Sequence, residues 1–256
     1  MPASDVDLLA DAAREAGRIA RSFWRENPEV WDKGDNDPVS EADLAVDTFL
    51  KNALLAARSD YGWVSEETED DPARFETERL FIVDPIDGTR AFVAGEPTWA
   101  HSLAVVENGH VTAACVYLPV REKLYLAATG QGATLNGESL SASSNADIDT
   151  STVLTPRVTF QEQFWKSGVP GFKRHFRPSL AYRLALVGEG RFDAMITLRQ
   201  AWEWDIAAGA LIAEEAGAAV SDRIGHKLTF NSPERQTAGV VTAAPVLHSK
   251  IMSALA

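Results

Sequence analysis

The stretch "FIVDPIDGTRAF", residues 81–92, limits what this chain can be more than any other part of it. An apolar run of strand-forming residues ends on Asp84, Asp87 follows, and Gly88 and Thr89 break the run at once. Two carboxylates at the end of a buried strand repel each other and are costly to desolvate unless something positive lies between them. A strand ending at Asp84, a loop carrying Asp87 and a short helix beginning at Gly88-Thr89 give the stretch a chemical role. Free N–H groups at a helix N-terminus bind phosphate, whereas carboxylates repel it. A divalent cation such as Mg²⁺, bridging protein anions and a substrate anion, resolves that conflict.

Blander readings compete with this one. Asp-Gly is a common turn, and aspartate at a helix N-cap is routine. The D-x-D-G-T motif of haloacid-dehalogenase phosphatases fits poorly, because the two acids here are separated by Pro85 and Ile86 and lie mid-chain. A calcium EF-hand loop starting at Asp32 also fails: Gly34 falls on a ligand position and Asp37 on the place reserved for glycine.

A wider set of acids strengthens the cation reading. "WVSEETEDD" brings Glu66 and Glu67 to another strand end, "WEWDIAAG" puts Asp205 at a helix start, and "PVSEAD" supplies Asp43. Singly these are an acidic loop, a cap and a solvated helix face. Together they form an oxygen-only set suited to a hard cation. The five histidines are scattered singly without metal spacing, and we read them as structural or surface residues.

The balance of 24 basic to 37 acidic residues gives a net charge of −13, which disfavours nucleic acid or an anionic membrane as partner. Cys115 is the only cysteine, so neither a disulfide framework nor a cysteine zinc site is expected. The N-terminus lacks the pattern of a signal peptide, and no apolar run approaches the roughly 20 residues of a membrane span. A cytoplasmic protein is expected.

Helical spacing of Val6, Leu9, Ala13, Ala16, Ala20 and Trp24 predicts a helix over 4–24, capped by Ser4. A second is predicted over 40–57, capped by Ser40 or Asp37, with Leu44, Phe49, Leu50 and Leu54 on its face. "KGDNDPVSEAD" reads as a polar loop, and 100–140 as an antiparallel meander punctuated by Asn-Gly turns. Beyond the Ser/Asp-rich stretch 141–151 the pattern changes to alternating helices and strands. An α+β half at 1–145, with most of the acids, and an α/β half at 146–256, with Asp205, are therefore expected.

"PVSEAD", "SEET", "VDPIDGTRAF" and "WEWDIAAGALIAEEAGAAVSD" stand in an order and spacing that resembles the inositol monophosphatase superfamily of lithium-sensitive, Mg²⁺-dependent phosphatases, from about residue 5 to 245. The resemblance implies a layered αβαβα sandwich of the sugar-phosphatase kind, with two or three Mg²⁺ ions between the halves, and a homodimer. It implies that Glu66, Asp84, Asp87, the Ile86 carbonyl and Asp205 hold metal, and that Glu66 and Thr89, supported by Asp43, orient the attacking water. The Gly88 and Thr89 amides would grip the phosphate of a small phosphorylated metabolite. Lys33 corresponds to a lysine near the metals.

Two departures matter. Ser65 replaces the glycine of the usual "GEES", which questions the loop geometry there. Inositol-specific members also carry a glutamate about seven residues before the last metal aspartate, where this chain has "ITLRQ". Arg183 and Arg199 lie nearby instead and suit a second phosphate, as in the bacterial 3'(2'),5'-bisphosphate nucleotidases; a solvated helix face and a surface loop are the plainer reading of the pair. "GTRAF" also occurs in histidinol-phosphatase-like members, so inositol monophosphate and histidinol phosphate remain alternative substrates, and a catalytically silent regulatory homologue is the reading from another class. Trp202 and Trp204, beside Asp205, read equally as core packing or as a wall for a substrate ring.

Overall fold

A computed structural model describes residues 4–32, 34 and 38–256. Helix α1 spans Asp5–Phe23, with the Ser4 hydroxyl accepting from the Asp7 amide at 3.3 Å. Its apolar stripe of Leu9, Ala13, Ala16 and Ala20 is fully buried. Helix α2, Glu41–Ala57, follows Ser40 as cap, while Asp37 lies outside the described residues. The buried face of α2 corrects the predicted one: Leu44 is exposed, and Asp43 and Asp47 are buried beside Val46, Leu50 and Leu54. Within the segment expected as a polar loop, Pro38–Ser40 pairs antiparallel with Val30–Asp32 just before it, and Glu41 already begins α2.

Seven strands form the first sheet in chain order: Gly62–Ser65, Arg79–Asp87, Ala100–Glu107, His110–Leu118, Lys123–Ala128, Ala133–Leu135 and Glu138–Ser139. Its first pair is parallel and the rest is the expected antiparallel meander. Helix α3, Thr89–Val93, is one short turn after the second strand. Five more strands build a second sheet in the order Lys173–His175, Thr152–Leu154, Ala194–Thr197, Val240–Ala243, Ala219–Ser221, mixed parallel and antiparallel. Helices α4 (Leu180–Gly188), α5 (Glu203–Glu215) and α6 (Pro245–Ala254) complete the fold.

Side-chain alternation assigns the layers. Along Arg79–Asp87, Phe81 and Val83 pack with Leu9, Val46 and Leu50 of α1 and α2, whereas Leu80 and Ile82 pack with α4 and α5. In the second sheet, Met195 and Val240 join that middle layer, while Ala194, Ile196 and Val241 pack on Leu247 and Ile251 of α6. The result is a five-layer αβαβα sandwich. Helices α4 and α5 approach closely because Gly209 has no Cβ; one built there would lie 2.6 Å from the Leu184 Cβ. Among the described residues no helix is long and apolar enough to cross a membrane.

Candidate active site

Strict alternation would send Asp87 to the opposite face from Asp84. The strand avoids this with a bulge: Asp84 pairs with Ser102 and Asp87 with Ala100, so Pro85 and Ile86 together face the single residue His101. The phase shift sends Ile86 toward α1–α2 and brings Asp87 to the α4–α5 side with Asp84. His101 braces the bulge through its Nδ1, which meets the Pro85 carbonyl. Burial pulls the His101 ring down to about 4, so it stays neutral, with the Nδ1 proton donated to that carbonyl.

The Asp87 carboxylate is held by the start of α4. It accepts from the Ser179 hydroxyl at 2.7 Å, the Ala181 amide at 2.6 Å and the Leu180 amide at 3.1 Å. Asp205 enters from the first turn of α5, which the Ser102 hydroxyl pins to the sheet by donating to the Trp204 carbonyl at 2.8 Å. Carboxylate oxygens of Asp84, Asp87 and Asp205 lie within 4.8 Å of one another. Glu66, first residue beyond Gly62–Ser65, lines the same cavity, and its amide donates to the Val83 carbonyl at 3.3 Å.

Burial raises the pKa of Asp84, Asp87 and Asp205. Burial, then repulsion from Glu66, Asp87 and Asp205, pushes Asp84 well above the usual carboxylate range. Burial and the charges of Asp87 and Glu66 do the same to Asp205. Burial lifts Asp87 to about 6 despite its three donors. The Asp84 Oδ1 is buried without a hydrogen-bond partner. An all-oxygen donor set with an orphaned carboxylate oxygen at its centre fits a hard divalent cation, whose charge reverses every one of these shifts.

Asp43 stands behind this cluster. It accepts from the Ser40 amide at 2.9 Å and from the Ser40 hydroxyl, and meets the Thr89 hydroxyl at 3.1 Å. Burial raises it to about 6, with Glu66 adding to the rise and Ser40 opposing it. The Thr89 hydroxyl is also 3.1 Å from the Ile86 carbonyl, so its single proton serves one of two acceptors. Gly88 precedes α3 with φ of 100°, a left-handed conformation that favours glycine.

The cavity holding these groups measures about 500 Å³ and is also lined by Phe176, Pro178, Arg183, Trp202 and Trp204. The Arg183 guanidinium lies 4.4 Å from the Phe176 ring and donates to the Arg177 and Pro178 carbonyls. Burial lowers it to about 10, offset by Asp87 and Asp205, so it is cationic at neutral pH. Arg183 is thus 8% exposed at the cavity and not on a solvated helix face. Arg199 is exposed beyond Ala194–Thr197 and is not part of the cavity lining. Lys33 lies outside the described residues.

Sequence reasoning missed Ser179 and Asp47, whereas His101 has the structural role expected of the histidines. Only Ser179 carried a local signal, a serine directly before a helical run. Asp47 explains the Ser65 departure: its carboxylate accepts from the hydroxyls of Ser65 and, at 2.7 Å, Thr68. Ser65 lies in a regular strand, so nothing there calls for glycine.

Comparison with known proteins settles the relationship. The profile of the inositol monophosphatase family matches residues 3–256. The chain belongs to that family. Inositol monophosphatase 3 of Solanum lycopersicum is 33% identical over 238 residues, covering 89% of each chain. The fructose-1,6-bisphosphatase/inositol-1-monophosphatase of Thermotoga maritima is 34% identical, covering 86% of this chain and 85% of its own. Nus factor SuhB of Escherichia coli K12 is 33% identical, covering 86% and 85%. A solved Thermotoga maritima IMPase superposes with a TM-score of 0.84 at 30% identity, covering 96% of this chain and 94% of its own. As a member of this family the chain is a metal-dependent phosphoric monoester hydrolase acting on small phosphorylated substrates.

Proposed function

We propose that the enzyme removes a phosphate from a 3'(2'),5'-bisphosphate nucleotide with the help of Mg²⁺. The observation that carries this reading is Arg183, a buried cation in the wall of a cavity lined by the acids Glu66, Asp84, Asp87, Glu96 and Asp205 and by the exposed Arg90. A monophosphate whose single phosphate sits at the carboxylate cluster has no need of it, whereas a second phosphate does. Leu198, seven residues before Asp205, is buried in apolar core and offers no oxygen to a polyol.

Glu66, Asp84, Asp87, Asp205 and the Ile86 carbonyl would hold the cation, which when bound lowers the pKa of water and stabilises charge on the transferring phosphoryl group. The Gly88 and Thr89 amides bind the phosphate. Thr89 and Glu66 orient the attacking water, and Asp43 fixes the Thr89 rotamer and accepts its proton. The two halves, 1–145 and 146–256, each supply part of this set.

The names of the relatives favour inositol monophosphate as the second reading, and histidinol phosphate is a third. Phosphate release from inositol 1-phosphate, 3'-phosphoadenosine 5'-phosphate, histidinol phosphate and fructose 1,6-bisphosphate separates them. The proposal expects the bisphosphate nucleotide to be preferred, and Arg183→Gln to lower its kcat/KM by about tenfold or more. Preference for inositol 1-phosphate, with Arg183→Gln silent, overturns it.

A further inference from the structure

Trp202 and Trp204 stack face to face, with centroids 4.7 Å apart and planes inclined by 7°. Trp204 is buried, but Trp202 is 39% exposed and lines the cavity next to Asp205. Arg235 lies near both rings, its guanidinium 6.0 Å from the Trp202 centroid and 5.8 Å from that of Trp204. A cation over the outer face of Trp202 would be much farther from Trp204. Near-equal distances therefore put Arg235 at the edge of the stack. One face of Trp202 is covered by Trp204, and the other is left to the cavity.

The stack is also held still. Trp202 pairs with Gln236 across a short two-stranded ladder, and the Glu203 amide donates to the Arg235 carbonyl at 2.8 Å. The Glu203 carboxylate, fully buried, accepts from the Asn231 and Ser232 amides at 2.6 and 2.9 Å. Behind it, buried Arg74 donates to Asp70 at 2.7 Å and to the Ser232 carbonyl at 3.0 Å. A large flat apolar surface, immobilised by buried charge and turned toward solvent inside a reaction cavity, is costly for packing alone. It matches a ligand that has a flat ring of its own.

We infer that Trp202 is the wall on which the ring of the substrate's leaving group lies, and that this ring is a nucleobase, carried by the nucleoside monophosphate that leaves when one of the two phosphates is removed. The inference rests on the reading of this cavity as the place of phosphate ester cleavage. Base–aromatic stacking is worth ~1–3 kcal/mol per base, about fivefold or more in affinity, and tolerates different bases. A polyol offers no such face. Trp202 thus selects for the base, and Arg183 for a second phosphate.

The test compares kcat/KM for adenosine 3',5'-bisphosphate and for ribose 3,5-bisphosphate, which has both phosphates and no base, in wild type, Trp202→Ala, Trp202→Leu and Trp202→Phe. The preference for the nucleotide should fall about fivefold or more in the Ala and Leu variants and be largely retained by Phe. Leu keeps apolar volume without a ring, so a loss in Leu and Ala with rescue by Phe cannot come from packing. A preference unchanged in Trp202→Ala, or lost equally in Phe, overturns the wall. Should neither bisphosphate be hydrolysed, the bisphosphate reading fails separately, and the wall is read from the ratio of 1-naphthyl phosphate to glycerol 2-phosphate. A ratio that falls in Trp202→Ala upholds the wall; an unchanged ratio overturns it.

Discussion

The Asp87 carboxylate and the Ser179 hydroxyl, 92 residues apart in the chain, meet at 2.7 Å. This contact joins the end of the first sheet to the N-terminus of α4, where the helix dipole and two backbone amides also favour the negative charge. Ser179 therefore sets the position of Asp87, one of the acids proposed to hold the cation. Ser179→Ala should raise the Mg²⁺ concentration for half-maximal activity about tenfold while saturating Mg²⁺ restores most of kcat. A Mg²⁺ titration of phosphate release checks this, and an unmoved midpoint contradicts it.

His101 acts on the same acids from the other side, by holding the bulge that turns Asp87 toward Asp84. Replacing it with leucine leaves the buried Pro85 carbonyl without that donor. His101→Leu is expected to lose about 1–3 kcal/mol of stability, with or without Mg²⁺. Urea unfolding in EDTA and in Mg²⁺ should show the loss in both; a loss confined to Mg²⁺ would mean that the histidine serves the cation and not the backbone.

Without a cation, burial lifts Asp43 and Asp87 to about 6 from the ordinary 3.8, and burial with mutual repulsion lifts Asp84 and Asp205 well above that ordinary value. The folded chain then holds protons that the unfolded chain has released. Stability from these groups is present below the ordinary carboxylate pKa and is lost as pH rises through 6 and beyond. A bound cation reverses that loss only where the acids are ionised. The rise in Tm on adding Mg²⁺ should therefore be larger at pH 8 than at pH 5, and much reduced in Asp84→Asn. An equal rise at both pH values contradicts the assignment of the cation to this cluster.

Legibility followed sequence distance. Helix α1, the meander and the acids at three strand or helix ends were readable because alternation, 3.6-residue spacing and Asn-Gly turns are local signals. The convergence of Asp84 and Asp87 was readable only as a puzzle, since the bulge depends on pairing with His101 on the next strand. Leu44 was assigned to a buried face because apolar side chains normally are; α2 instead buries Asp43 and Asp47, each satisfied by hydroxyls from elsewhere in the chain. Helix α6 and the strands Thr152–Leu154 and Lys173–His175 lacked a strong periodic signal and were not read. Arg183 could be located on its helix, but not the ring of Phe176 against which it lies.

Ser65 shows how a departure from a family pattern is absorbed. Its hydroxyl donates to Asp47, which ties the end of the strand just before Glu66 to α2. Ser65→Gly should cost about 1 kcal/mol, from the lost hydrogen bond and the added freedom of glycine in a strand. Thermal unfolding measures it, and a variant as stable as wild type would show that the contact contributes nothing.

The most direct test of the account is phosphate release from 3'-phosphoadenosine 5'-phosphate by wild type and by Asp84→Asn, each with Mg²⁺, with EDTA, and with EDTA followed by excess Mg²⁺. The carboxylate cluster predicts release by wild type that EDTA abolishes and excess Mg²⁺ restores, and almost none from a folded Asp84→Asn protein under any condition. Release that survives EDTA, or a fully active Asp84→Asn enzyme, would contradict it.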